Sequence, residues 1–329
     1  MNNVIIPVIS ASVFSRSIEI ALTKNFDRDA AIIRTRKRLS NCENCKLYVK
    51  NHKTRITFYE VVNGVQKHLP ANDERTYSMA RRQYLECLLA LLKINDPGNV
   101  KYIATLSKLK QLIHAFEIGK LDIARIVMTS SQYRWFNHDY RKKSISPDNN
   151  SNIGYQMTDN GTLVRSKSER MIGNACEAYG IPYHYEERFQ IDVSSFVKGL
   201  EKSLVASGEL RDSLFNYDGY TCVWNVPEGL RSMNNPGSIW RSYDDRTGKI
   251  TIFNDFKFML ADGSIMLWEH EGLFTNFYYR FSSTERAAML TYASGIPRDN
   301  LIFTYERDVN DTTQLDSFIE GKILPRLWF

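Results

Sequence analysis

Two acids stand where acids are costly. Residues 251–272 read TIFNDFKFMLADGSIMLWEHEG: two apolar and aromatic runs around Ala261-Asp262-Gly263-Ser264, whose Asp-Gly pair signals a hairpin. Asp255 interrupts the first run, among Phe253, Phe256, Phe258 and Leu260. Glu269 closes the second, after Ile265, Leu267 and Trp268. A carboxylate in an apolar strand is destabilising unless it is paired, protonated or bound to a cation. Two near one end of a hairpin point to a shared cation. A third acid, Glu169, falls on the first turn of an expected helix, in Val164-Arg165-Ser166-Lys167-Ser168-Glu169. Mg2+ and Mn2+ suit such a set, because they take oxygen ligands and are held by one or two carboxylates with water and phosphate.

Each acid also has a plainer explanation. On an edge strand Asp255 would be solvated. Ser166-x-x-Glu169 is a capping box in its own right, and the helix macrodipole favours an acid there. The metal reading rests on the three acids together, in order and on the right elements.

The elements that must position them alternate in the second half of the chain. A helix over 166–179 stops at Gly180-Ile181-Pro182, and a strand follows over 183–189. An insertion covers 190–248, with a helix expected over 195–214. The hairpin spans 251–268, a helix 276–293, a strand 300–305 and a last helix 313–323. Strands alternating with helices around a central hairpin imply an α/β core with a mixed sheet.

The order helix-Glu, strand-Asp, strand-Glu resembles the PD-(D/E)xK nuclease superfamily. More narrowly, SKSE, GIPYHYE, DF, DG, WEHEG and YASGIPRDNLIFTYE are similar to motifs of phage and bacterial proteins of restriction-endonuclease-like fold, over residues 160–308. The resemblance implies Asp255 and Glu269 as ligands of Mg2+ or Mn2+, with Glu169 positioning water or a second ion. It departs at the lysine: the superfamily has Lys two residues after the second acid, and this chain has Glu271. Lys257, two residues after Asp255, and Lys167 are the replacement candidates, and His270 is a candidate polariser or proton shuttle. His184 and Glu186 read as structural. The insertion is a second departure, with Lys198, Arg211, Arg231 and Trp240 as candidate substrate contacts. Tyr278, Tyr279 and Arg280 could hold a phosphate or fill a core.

The implied activity is metal-dependent endonucleolytic hydrolysis of nucleic-acid phosphodiesters, DNA before RNA. The rival is a nuclease fold that has lost catalysis and serves as a nucleic-acid-binding or assembly factor, which Glu271 favours.

The first half, 1–145, reads as an N-terminal basic module, separated from 160–329 by the polar stretch 144–160. Residues 1–75 are expected to be β-rich, with strands over 4–9 and 46–62 and a turn at Asn63-Gly64. Eight Lys and Arg residues between 34 and 55 form either a solvated face or a nucleic-acid contact surface. Helices are expected over 77–93, capped by Asn72 or Asp73, then over 100–121 and 122–130. Cys42-Glu43-Asn44-Cys45 is half a zinc site by spacing, lacking a second pair, with His52 and His68 as weak complements.

The net charge of +6 mildly favours a polyanionic partner. Five cysteines, an odd number in 329 residues, fit a reducing cytoplasm rather than a disulfide framework. The start lacks the basic region of a secretory signal, and no apolar run suffices for a membrane span. A homodimer or protein partner would use the N-terminal module. No Walker loop, GxGxxG or GxSxG is present, which disfavours a nucleotide motor or serine hydrolase.

Overall fold

Phe14, Ile18, Ala21 and Leu22 recur at helical spacing, and all four are buried. In the computed structural model they lie on helix α1 (Ala11–Thr23), capped by the Ser10 hydroxyl. The structure describes residues 9–52, 55–142, 155–192, 243–244, 246–272, 286–287, 289–291 and 294–329, without the side chains of 138–142 and 243. The β-rich expectation for the start of the chain is thus corrected over residues 11–40: α2 (Arg28–Ser40) follows α1, and among the described residues the first strand begins at Tyr48. Val13, Ile18, Ile20 and Ile32 raise β propensity, but burial at a 3.6-residue period outweighs it. Residues 4–8 of the first expected strand lie outside the described residues.

Strands β1 (Tyr48–His52), β2 (Arg55–Val62) and β3 (Val65–Leu69) make an antiparallel sheet that turns at Asn63-Gly64 as expected. Its inner face carries Phe58 and Leu69 onto α3 (Glu74–Leu92, capped by Asp73) and α4 (Val100–Ile118). Helices α5 (Ile123–Val127) and α6 (Ser130–Lys142) complete this half. The end of the expected linker contributes β4 (Gln156–Met157), which pairs with β5 (Leu163–Val164) just beyond it.

The second sheet runs β10-β9-β8-β6, with the short β7 (Tyr243–Asp244) also pairing β8. Its strands are β6 (His184–Asp192), β8 (Lys249–Met259), β9 (Ile265–Glu271) and β10 (Leu301–Tyr305). The β8–β9 hairpin and β6–β8 pair are antiparallel and β9–β10 is parallel, so the sheet is mixed. Helix α7 (Lys167–Ala178) opens on the Ser166–Glu169 capping box. It ends where Gly180, at φ +64°, and Ile181 return hydrogen bonds to the Glu177 and Cys176 carbonyls. Of the helix expected over 276–293, the described residues 286–287 and 289–291 are helical. The helix expected over 195–214 lies outside the described residues.

The chain closes with α8 (Glu306–Asn310), α9 (Thr312–Phe318), a π-helical turn (Ile319–Ile323) and α10 (Leu324–Trp328). Trp328 packs edge-on against Phe14 at 5.0 Å, and its indole N–H donates to Ser17 Oγ at 2.8 Å. One apolar core therefore runs from α1 to the Phe256, Phe258 and Trp268 face of the hairpin. Among the described residues no helix is long and apolar enough to cross a membrane.

Gly119, which caps α4, shows how tightly the first sheet is seated. A Cβ there would fall 2.3 Å from the ring of buried Phe58. Gly119→Ala is expected to destabilise the protein by about 1–3 kcal/mol in urea unfolding. The double variant with Phe58→Leu should recover part of that loss.

Candidate active site

Asp255 lies where the hairpin forks. Backbone pairing of β8 with β9 ends at Phe256 opposite Trp268, and β9 continues beside β10 alone. On the other side, Tyr185–Phe256 and Glu187–Asn254 pairs bracket position 255, and Glu186 between them has φ +49°. A left-handed glutamate costs on the order of 1–3 kcal/mol and persists only where its surroundings impose it. The regular ladder thus lapses on both sides of Asp255. Its Oδ2 accepts the His270 N–H at 2.7 Å, a donor that β8 no longer satisfies. Since β8 is interior to the sheet, the edge-strand explanation of Asp255 does not apply.

Glu269 is 1% exposed. Its Oε2 accepts from Arg286 Nη1 at 3.0 Å, while Oε1 is buried with no hydrogen-bond partner. Burial pushes the Glu269 carboxyl up to about 7 against the pull of Arg286, and Glu271 adds repulsion. Burial, then the charges of Glu269 and Glu169, push Asp255 well above the usual carboxylate range. Burial opposes the charge on Arg286, but Glu269, Asp255 and Glu271 together hold it more firmly protonated than an ordinary arginine.

Glu169 reaches this group from α7. Its Oε2 accepts from the backbone N–H of Arg165 (2.8 Å) and Ser166 (3.2 Å) and from the Tyr185 hydroxyl (2.5 Å). The capping role is therefore real, and the same carboxylate sits close enough to raise Asp255. Glu186, read from sequence as structural, borders the group too, paired with Arg165 at 2.7 Å. Burial raises its carboxyl, and the Glu169 charge adds to that while Arg165 and Arg286 oppose it.

The other expected residues go elsewhere. Lys257 does not meet the acids: its Nζ donates to Glu187 Oε1 at 2.7 Å. Glu187 also meets His184 Nδ1 at 2.6 Å, and Trp135 of α6 stacks on the His184 ring at 3.8 Å. The His270 ring points away from Glu269, as strand alternation requires. Its nitrogens lie 3.2 Å from Thr304 Oγ1 and 3.2 Å from Glu306 Oε2, and Ser168 Oγ donates to Glu306. A proton-shuttle role at the acid pair does not fit that direction. Lys167 is exposed, whereas Glu271 is buried and raises Glu269. Lys198, Arg211, Arg231, Trp240, Tyr278, Tyr279 and Arg280 lie outside the described residues.

Sequence reasoning missed Arg286, Tyr185 and the site role of Glu186. The last two lie inside the GIPYHYE motif, but nothing local distinguishes Arg286.

Among the described residues no group of three His, Cys, Asp or Glu side chains is arranged to hold a metal ion. For the half zinc motif this leaves Cys42 and Cys45 as free thiols. For the acids the requirement is smaller, because Mg2+ commonly takes one or two carboxylates and completes its shell with water and phosphate. The unpartnered Glu269 Oε1, the Glu269 carboxyl raised by burial and the Asp255 carboxyl raised by burial and by the Glu269 charge fit that case. No protein-family model, curated protein or solved structure matches the chain.

The metal-free protein should lose stability as pH rises from about 4.5 to about 7. Across that window folded Glu269 retains a proton that the unfolded chain has released. The contribution is complete below the unfolded value and gone above the folded one, amounting to at most about 3 kcal/mol. Urea midpoints measured across the window in EDTA should show this slope in the native protein, a shallower one in Glu269→Gln and the flattest in Glu269→Gln with Asp255→Asn, because Asp255 is raised as well.

Proposed function

We propose that the chain is a metal-dependent nuclease of restriction-endonuclease-like fold that hydrolyses nucleic-acid phosphodiesters, DNA in preference to RNA. The observation that carries this reading is the Asp255–Glu269 pair at the hairpin fork, Asp255 half-buried and Glu269 buried with its Oε1 left without a partner. Asp255 and Glu269 would hold the ion, and bound Mg2+ or Mn2+ would lower the pKa of an attacking water and offset charge developing on the phosphodiester. Release of Arg286 from Glu269 leaves its guanidinium to bind a phosphate oxygen, for which its fork geometry is suited. Arg286 then supplies the positive charge that Glu271 cannot and that Lys257, held by Glu187, does not bring to the site. Arginine stays protonated, so it binds phosphate and moves no proton. Glu169, already the acceptor of Arg165 N–H, Ser166 N–H and Tyr185 O–H, acts by fixing α7 and Tyr185 beside Asp255.

A second reading, a nuclease fold that binds nucleic acid without cutting it, is favoured by Glu271 and by the ion pair that Arg286 makes with Glu269.

Cleavage of supercoiled plasmid, linear duplex, single-stranded DNA and RNA with Mg2+, Mn2+ or EDTA separates the two. Metal-dependent cutting is expected, with Asp255→Ala and Glu269→Ala each lowering the rate by roughly 100-fold or more. Arg286→Lys should retain more activity than Arg286→Ala. Mg2+ should also raise the melting temperature of the native protein but not of Asp255→Ala, a readout that needs no turnover. Absence of cutting and of metal stabilisation, with salt-sensitive DNA binding retained, establishes the non-cutting reading.

A further inference from the structure

We infer that the outward face of the β1–β2–β3 sheet is a stacking platform for single-stranded nucleic acid. Strand register places Tyr48 opposite Tyr59 and Tyr59 opposite His68, so three rings form one row across the sheet. The row lies on the face opposite Phe58 and Leu69, which are buried against the helices. Tyr59 and His68 meet edge-to-face at 5.5 Å. Lys46 Nζ lies 5.2 Å from the Tyr48 ring centre and Lys50 Nζ 4.8 Å from that of Tyr59. Lys50 and Arg55 share the row's face by alternation, and both are exposed.

The charge on this face has one sign. The single acid between residues 48 and 69 is Glu60, which is 1% exposed on the opposite face and pairs with Arg75 at 2.8 Å. A merely solvated face interleaves both signs, and an aromatic row that serves only sheet stability needs no lysines beside its rings. Rings with lysine ammoniums about 5 Å away, on an open surface, match what a single strand offers, splayed bases with π faces along a phosphate backbone. A duplex keeps its bases stacked inside, out of reach of a flat sheet. At about 4.8 Å between strands the row spans roughly 10 Å, room for two or three bases.

This inference does not rest on the nuclease reading, and its test runs without metal. Fluorescence anisotropy in EDTA would compare 15-nucleotide oligo-dT, oligo-U and a 15-base-pair duplex on the full chain. Single strands should bind tighter than the duplex. Tyr59→Ala should weaken single-strand binding roughly 5- to 150-fold, and Tyr59→Phe, which keeps the ring, should restore it. Lys50→Ala should lower the slope of log affinity against log salt by about 0.7. Tyr48, 38% exposed, provides a second ring to remove if Tyr59→Ala fails to fold by thermal melting. Preference for the duplex, or unchanged single-strand affinity in folded Tyr48→Ala and Tyr59→Ala proteins, overturns the inference.

Discussion

The hydrogen bond from His270 N–H to Asp255 Oδ2 joins β8 to β9 beyond their last backbone pair. Without it a buried backbone donor would go unsatisfied, at a cost of about 1–3 kcal/mol. Supplying the acceptor from a side chain brings a carboxylate into the sheet beside Glu269, whose charge raises the proton affinity of Asp255. Arg286 offsets part of that repulsion, yet Glu269 Oε1 stays buried and unpartnered. Such incomplete balance concentrates at functional sites, where a ligand completes it.

The surroundings of the fork are held by parts of the chain far from it in sequence. The Gln132 side-chain amide of α6 donates to the carbonyls of Met259 and Leu327, tying the end of β8 to α10. Three residues further along α6, Trp135 covers His184, whose partner Glu187 is also the partner of Lys257. Removing one member of a buried charged set leaves the rest uncompensated, so Lys257 is committed to joining β6 to β8. On the opposite face, His270, Glu306 and Ser168 link β9, α8 and α7. The acids thus sit between two polar networks, each spanning several elements.

The two proposed surfaces differ in the charge they present. The acid group gathers carboxylates in a partly desolvated setting and suits a cation and a phosphate bridging it. The first sheet presents cations and rings to solvent and suits the polyanion itself. Both are built on strands, but the first sheet's row lies on the face that alternation leaves to solvent, whereas Glu269 shares its face with Leu267 of a second, smaller apolar cluster.

Features written in local chemistry were legible from the sequence. They include the Asp262-Gly263 hairpin, the Ser166–Glu169 capping box, the Gly180 stop, the helices after Asp73 and Asn99, and the strand before Glu306. Each depends on residues within a turn or two of one another. The acids Asp255 and Glu269 were also legible, because a charge in an apolar run is conspicuous wherever the run folds. The helical start of the chain was not, since β-branched residues there mask a burial period that exists only once α10 packs against α1. Nor could the sequence show that Lys257 turns to Glu187, that Glu186 takes a left-handed backbone, or that Arg286 comes to Glu269. Those were decided by tertiary structure, for one physical reason. A charge's partner is whichever opposite charge packing brings within a few ångströms in a poorly screened interior, and sequence spacing does not encode that distance.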